Sequence, residues 1–268
     1  MTEQGRAGPV ALVTGAGRRI GAAIARDLAQ HGWAVAIHYR GSRREAEALA
    51  REIEAAGGRA VALACDLARE AEVETLIPRA VEALGPLTCL VNNASAFEMD
   101  KIDTATRESW DRHIETNLRA PLVLSQAFAR QLPESGGGQA QGMGTATGNI
   151  INMLDQRVWK LTPYFLSYTL AKSGLWTLTQ TMALALAPRI RVNGIGPGPT
   201  LPSERQSAEQ FHLQQAAVPL KRGPGLEEIA ATVRYILATP SLTGQMIALD
   251  GGEHLGWAQP ARGFVARE

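Results

Sequence analysis

The sequence predicts one α/β domain: a doubly wound parallel sheet of about seven strands with helices on both faces. Three observations lead there. Short apolar runs alternate with amphipathic stretches of helical period from Val10 onward, a glycine-rich turn joins the first run to the first such stretch, and no linker composition breaks the alternation.

Val10 to Thr14 is the first apolar run and reads as a strand. Ile20, Ile24 and Leu28 then recur every four residues as one helical stripe, and Gly32 supplies the stop. Trp33 to His38 is the second strand, Arg43 to Ala56 a helix, Ala60 to Cys65 the third strand and Glu70 to Leu84 a helix. Cys89 to Asn92 is the fourth strand, and Arg107 to Leu132 carries one long helical pattern. Asn149 to Leu154, Ile190 to Ile195 and Gln245 to Leu249 complete the strands, separated by helices over Phe165 to Ala187 and Leu226 to Ala238. Strands separated by helices run parallel through right-handed crossovers. Residues 136–148, rich in Gly, Gln and Thr, are expected to form a flexible surface loop, and residues 198–225 a substrate lid. Residues 253–268 are a tail beyond the last motif.

The 268 residues include 27 basic and 26 acidic side chains, a formal net charge of +1, with 45% hydrophobic and 20% charged residues. Such a balance provides no sustained basic field, so neither nucleic acid nor a membrane surface is an expected partner. The polar stretch Thr2 to Arg6 and the early Thr14-Gly15 do not suit a signal peptide. The apolar stretch between Lys172 and Arg189 is too short and too rich in Thr for a membrane span, and reads as a buried helix. Cys65 and Cys89 alone fit a reducing cytoplasm. The histidines (His31, His38, His113, His212, His254) lack metal-ligand spacing, so no metal is expected.

Thr14-Gly15-Ala16-Gly17-Arg18-Arg19-Ile20-Gly21 follows the first strand and opens the first helix. A helix start preceded by small residues presents free N–H groups and a positive dipole end, which suits a pyrophosphate. The other reading is a tight structural turn. At the end of the second strand an acidic residue would suit a free ribose 2′-hydroxyl; here His38-Tyr39-Arg40-Gly41-Ser42-Arg43-Arg44 offers cations and a hydroxyl, which favours a 2′-phosphate and hence NADPH. Arg40 is the chosen partner, Arg43 and Arg44 suiting equally the exposed first turn of a helix.

Tyr168 and Lys172 lie four residues apart on a predicted helix and share a face. An ammonium ~4 Å from a phenol, at an effective dielectric near ~20, favours the phenolate by up to ~4 kcal/mol. Such a tyrosine serves as a general acid near neutral pH.

In these residues the chain resembles the short-chain dehydrogenase/reductase family from Val10 to about Gly252: the turn at Thr14 to Gly21, Asp66 after the third strand, Asn92-Asn93-Ala94, Asn117, Tyr168 with Lys172, Pro197-Gly198 and Asp250-Gly251-Gly252. The resemblance implies a Rossmann-type fold, a homotetramer, Tyr168 as proton donor, Lys172 on the nicotinamide ribose, and Asn117 steadying a water relay. It also implies cofactor contacts from Gly15, Gly17, Arg19, Ile20, Gly21, His38, Tyr39, Arg40 and Ser42. Asp66 and Leu67 would lie at the adenine end, with Asn93, Ala94, Ser95, Pro197 and Gly198 along the rest.

Two departures narrow the resemblance. Arg19 stands at the usual middle glycine, and Asp155 stands 13 residues before the tyrosine where a serine is usual. Both resemble the pteridine reductase branch, as do His38-Tyr39, Asn93-Ala94-Ser95 with Phe97, and Ile151-Asn152-Met153. The implied substrates are dihydropterins or dihydrofolate, with Ser95, Phe97, Asp155 and Tyr168 on the substrate and Phe97 stacking the pterin. The chemistry agrees independently: a carboxylate cannot donate to a ketone oxygen and repels a developing alkoxide, whereas reduction of a ring C=N bond builds positive character that a carboxylate stabilises. Two other readings stay open: a general carbonyl reductase for 3-oxoacyl, quinone or sugar substrates, and a non-catalytic NADP sensor, which has no reason to retain Tyr168, Lys172 and Asp155 together.

Overall fold

The computed structural model describes residues 8–133, 146–203 and 206–256. Seven parallel strands form one sheet in the order β3-β2-β1-β4-β5-β6-β7. They are β1 Val10–Val13, β2 Ala34–Tyr39, β3 Ala60–Ala64, β4 Cys89–Asn92, β5 Gly148–Met153, β6 Ile190–Pro197 and β7 Met246–Leu249. The order reverses direction between β1 and β4, the switch point at which doubly wound sheets open a crevice beyond their carboxyl ends.

Strand alternation sorts the side chains into two cores. Val10 and Leu12 of β1 and Leu90 of β4 face one core with Leu76, Ile77, Leu124 and Phe128. Ala11 and Val13 of β1, with Cys89 and Val91 of β4, face the other with Ile24, Leu28, Leu49, Ile53, Ile229 and Val233. The helices α1 Arg19–Gln30, α2 Arg43–Ala55 and α8 Leu226–Ala238 thus cover one face, and α3 Glu70–Leu84, α5 Ala120–Gln131 and α6 Leu166–Leu186 the other. Strands and helices buried this way read as apolar runs and single stripes, which is why their positions match the pattern of the sequence.

The stretch expected as one helix over Arg107 to Leu132 is interrupted. It consists of α4 Arg107–Ile114, a π-helical turn Glu115–Arg119 and α5. Pro121 has no N–H to offer the carbonyl of Asn117, so the ladder shifts, and Ala120 N–H donates to the Glu115 carbonyl instead. The 198–225 connection also differs from a plain loop, since it contains α7 Ala208–Ala217, started by a reciprocal capping box between Ser207 and Gln210. The loop expected over 136–148 lies outside the described residues except for its end, where β5 already begins at Gly148. Of the tail, Glu253–Leu255 forms a single 3₁₀ turn, and residues 257–268 lie outside the described residues. Among the described residues no helix is long and apolar enough to cross a membrane.

Candidate active site

The site is built where the carboxyl ends of β1, β4, β5 and β6 meet the start of α1. Thr14 is the first clasp: its hydroxyl oxygen accepts N–H groups from Asn93 at 2.9 Å and Ala94 at 3.0 Å. Gly15 follows with φ +61°, and a Cβ there would lie 2.8 Å from Ala94 Cα, so backbone conformation and close approach both demand glycine. Gly17 and Gly21 have no room for a Cβ either, against the Ser42 hydroxyl and the Gly15 carbonyl respectively. The turn is therefore pressed onto Ser42 on one side and Asn93-Ala94 on the other. Arg18 precedes helix α1 and provides no side-chain cap, so the first-turn N–H groups have no such partner.

Arg19, expected on the cofactor, is tethered to the segment after β6. It has φ +57°, and its guanidinium donates to the carbonyls of Pro202 at 2.9 Å and Leu201 at 3.4 Å. A non-glycine residue in this conformation is held by such tethers. His38, expected on the cofactor, is held inside the fold. Buried at 2% exposure, it accepts from Gly15 N–H at 2.9 Å through Nδ1 and donates to the Cys65 carbonyl at 3.0 Å through Nε2. Burial lowers its pKa to about 4, so it is a neutral strut from the turn to the end of β3. Tyr39 and Leu67, expected on the cofactor, bury their side chains in the two cores. Arg40 is exposed just after β2, near Ser42, and Asp66 follows β3 with its main-chain N–H bonded to Glu72 at 2.8 Å. Asn117, on the π-helical turn, spends its amide on Ala96: Oδ1 accepts from the main-chain N–H and Nδ2 donates to the carbonyl, both at 2.8 Å. It is a strut for the loop carrying Ser95 and Phe97.

A cleft of about 730 Å³ opens beside this turn, and Arg19, Ile20, Asn93, Ser95, Phe97, Asp155, Tyr168, Lys172, Pro197 and Gly198 all line it. A second hollow, about 530 Å³, lined by Arg26, Trp33, Glu52 and Arg59 among others, contains none of them. At the cleft's inner end the Tyr168 hydroxyl donates to Asp155 Oδ2 at 2.8 Å. Tyr168 is 5% exposed, and its pKa is raised well above the usual value by burial first and by the Asp155 carboxylate second. Arg157 and the Ser95 hydroxyl act in the opposite direction. Lys172 was expected to loosen this proton; burial and Asp155 act the other way. The Lys172 ammonium donates to the Met153 carbonyl at 2.6 Å, and its Nζ lies 5.8 Å from the centre of the Tyr168 ring. Burial lowers its pKa to about 8, so it is still mostly protonated at neutral pH. The phenol therefore holds its proton with an anion as nearest charge.

Phe97 stands at the cleft wall, but its stacking partner is a residue the sequence did not single out. Its ring lies 4.4 Å from that of Phe165 with 7° between planes, and meets Tyr168 edge-on at 4.8 Å. Arg157 covers the pair, 5.1 Å from the Phe165 centroid and 5.6 Å from that of Phe97. The sequence pattern used Phe165 only as the first residue of a helix and left Arg157 unremarked.

These residues fit a dinucleotide. The glycine cradle excludes side chains, the α1 N–H groups lack a side-chain cap, and the cleft runs from that turn to Tyr168 and Lys172. Among the described residues no group of three or more His, Cys, Asp or Glu side chains is placed to hold a metal ion.

Among solved structures, FolM alternative dihydrofolate reductase 1 from Brucella suis, in complex with NADP, superposes with a TM-score of 0.87 at 50% identity, covering 94% of this chain and 97% of that one. A blue fluorescent protein from a metagenomic library, in complex with NADPH, gives 0.80 at 33% identity over 91% of this chain and 97% of that one. A 3-oxoacyl-[acyl-carrier-protein] reductase, FabG, of Staphylococcus epidermidis is 33% identical over 251 residues, 91% of this chain and 98% of that protein. Residues 9–212 match the short chain dehydrogenase family, and with that match and these relatives the chain belongs to that family.

Proposed function

We propose that the protein is an NADPH-dependent reductase of a pterin ring C=N bond, acting on a dihydropterin such as dihydrobiopterin or dihydromonapterin, or on dihydrofolate. The observation that carries the reading is the carboxylate of Asp155 at 2.8 Å from the Tyr168 hydroxyl, where reduction of a ketone calls for a second hydroxyl donor. The 50% identity to a FolM alternative dihydrofolate reductase crystallised with NADP supports it.

Bound NADPH supplies a hydride. Arg40 and Ser42 hold its 2′-phosphate, the α1 N-terminus with Gly15, Gly17 and Gly21 its pyrophosphate, and Asn93, Ala94, Pro197 and Gly198 the remainder. Phe97, braced by Phe165, gives a flat ring a wall to lie against. Tyr168 releases its hydroxyl proton to the ring nitrogen as the neighbouring carbon is reduced. The Asp155 carboxylate compensates positive character at the ring, while the Lys172 ammonium and the Arg157 guanidinium flank the phenolate that remains.

The test is a substrate panel with NADPH and NADH. Turnover of a dihydropterin above that of 3-oxoacyl, quinone and sugar substrates, with NADPH preferred, is expected; the reverse order would install the second reading, a general carbonyl reductase, which the 33% identity to FabG favours. The homotetramer draws support from Leu170 and Leu184, 48% and 82% exposed along α6, and light scattering of the purified protein tests it.

A further inference from the structure

Arg157 reaches into the cleft from the short turn after β5, and the proposed reaction leaves it only a flanking charge. Its contacts are specific. The guanidinium lies 3.0 Å from Asp155 Oδ2 and 3.3 Å from Oδ1, and its own main-chain N–H donates to Oδ1 at 2.8 Å. Oδ1 thus receives two donors from one residue, and Oδ2 faces both the guanidinium and the Tyr168 hydroxyl. The pair is largely removed from solvent, with side-chain exposures of 17% and 12%.

Burying two charges contributes little to stability when compared with apolar packing, so such a pair is poorly explained as a fastening of the fold. Its geometry has another consequence. Asp155 has a free side-chain rotation about each of two bonds, and with the guanidinium and the N–H gripping it, only one orientation keeps Oδ2 against the phenol. The same guanidinium lies close to both rings of the Phe97–Phe165 stack, so the aromatic wall and the carboxylate share one neighbouring group. Lys172 does not share the task, because its ammonium is bonded to the Met153 carbonyl.

We infer that Arg157 is a positioning residue: it sets the orientation of the Asp155 carboxylate toward the Tyr168 hydroxyl and aligns that pair with the Phe97–Phe165 wall. The inference rests on reading Tyr168 and Asp155 as the proton-handling pair. Consistent with it, the Arg157 charge opposes the upward pull of Asp155 on the Tyr168 proton.

The test uses the full chain with Arg157→Gln and Arg157→Lys, each checked for unaltered circular dichroism. In cofactor-free protein labelled with ¹³Cζ-tyrosine, the Tyr168 resonance, assigned by its loss in Tyr168→Phe, is expected to move in Arg157→Gln and to return part of the way in Arg157→Lys. With NADPH and dihydrobiopterin, kcat falls about 10- to 100-fold in Arg157→Gln, the loss of one charge-assisted contact, while KM and NADPH affinity stay within about threefold. A folded Arg157→Gln protein with an unmoved Tyr168 resonance overturns the inference, as does an equal loss of kcat and NADPH affinity. If Arg157→Gln does not fold, Arg157→Lys decides alone, since it keeps the charge on a differently shaped head group: a Tyr168 resonance and kcat identical to the parent reject the inference. A parent protein that reduces no dihydropterin refutes the proposed function, and the resonance measurement still decides the role of Arg157.

Discussion

The Tyr168 hydroxyl and Asp155 Oδ2 lie 2.8 Å apart, the phenol donating and the carboxylate accepting, in a pocket where both side chains are buried. The phenol is thus paired with an anion, and the Lys172 ammonium is turned toward a main-chain carbonyl.

Removing the phenol oxygen removes the acid. Tyr168→Phe is expected to lower kcat for dihydropterin reduction by about 10²- to 10⁴-fold, the usual range for a general acid, with NADPH affinity unchanged. Stopped-flow oxidation of NADPH together with fluorescence titration of the cofactor measures both quantities. Equal activity in the variant would relocate the proton donor.

Asp155→Ser exchanges the anion for a hydroxyl donor. Dihydropterin turnover should fall at least about tenfold and ketone turnover should rise, because the serine donates to a carbonyl oxygen where the carboxylate repelled it. Retention of the parent dihydropterin rate would remove the C=N argument.

Arg40→Ala tests the choice of cofactor. Loss of a hydrogen bond to a phosphate predicts NADPH binding weaker by roughly 10- to 100-fold, with NADH binding unaffected. Isothermal titration with the two cofactors separates this outcome from a general loss of the turn, which would weaken both.

His38 predicts an acid-sensitive fold. Its folded pKa is about 4, against 6.5 for the unperturbed group, so the unfolded chain binds the extra proton between those values. Its contribution is complete above pH 6.5 and is lost as the pH falls toward 4, by about 3 kcal/mol over that window. Urea denaturation of the parent and of His38→Asn across pH 4 to 7 should show a shallower acid dependence in the variant. Parallel curves would rule the histidine out as a source.

The strands and the large helices are readable in the sequence because each buries a continuous run or one stripe; Ile24 and Leu28, for example, point into the same core as Ile229 and Val233. Helix α7 has no such signature, for none of its residues is buried and only its Ser207–Gln210 capping box announces it. The break at Asn117 follows from Pro121, a residue whose helical pattern hides its missing donor. Within the site, spacing correctly places Tyr168, Lys172 and Asp155 around one cleft, but charge depends on surroundings. The carbonyl of Met153 diverts Lys172, and the interior of the fold neutralises His38, and both effects come from residues distant in sequence. Arg157 and Phe165 were unreadable for the same reason, since their partners are set by three-dimensional packing of a turn against a loop.

Arg19 fastens itself to carbonyls more than 180 positions downstream, and Thr14 clasps a strand end nearly 80 positions away. A nascent polypeptide truncated before Leu201 would carry the glycine turn and the tyrosine yet lack the far rim of its own pocket. Closing such long loops is entropically demanding, so competence to capture ligand waits until the segment around Leu201 has been made.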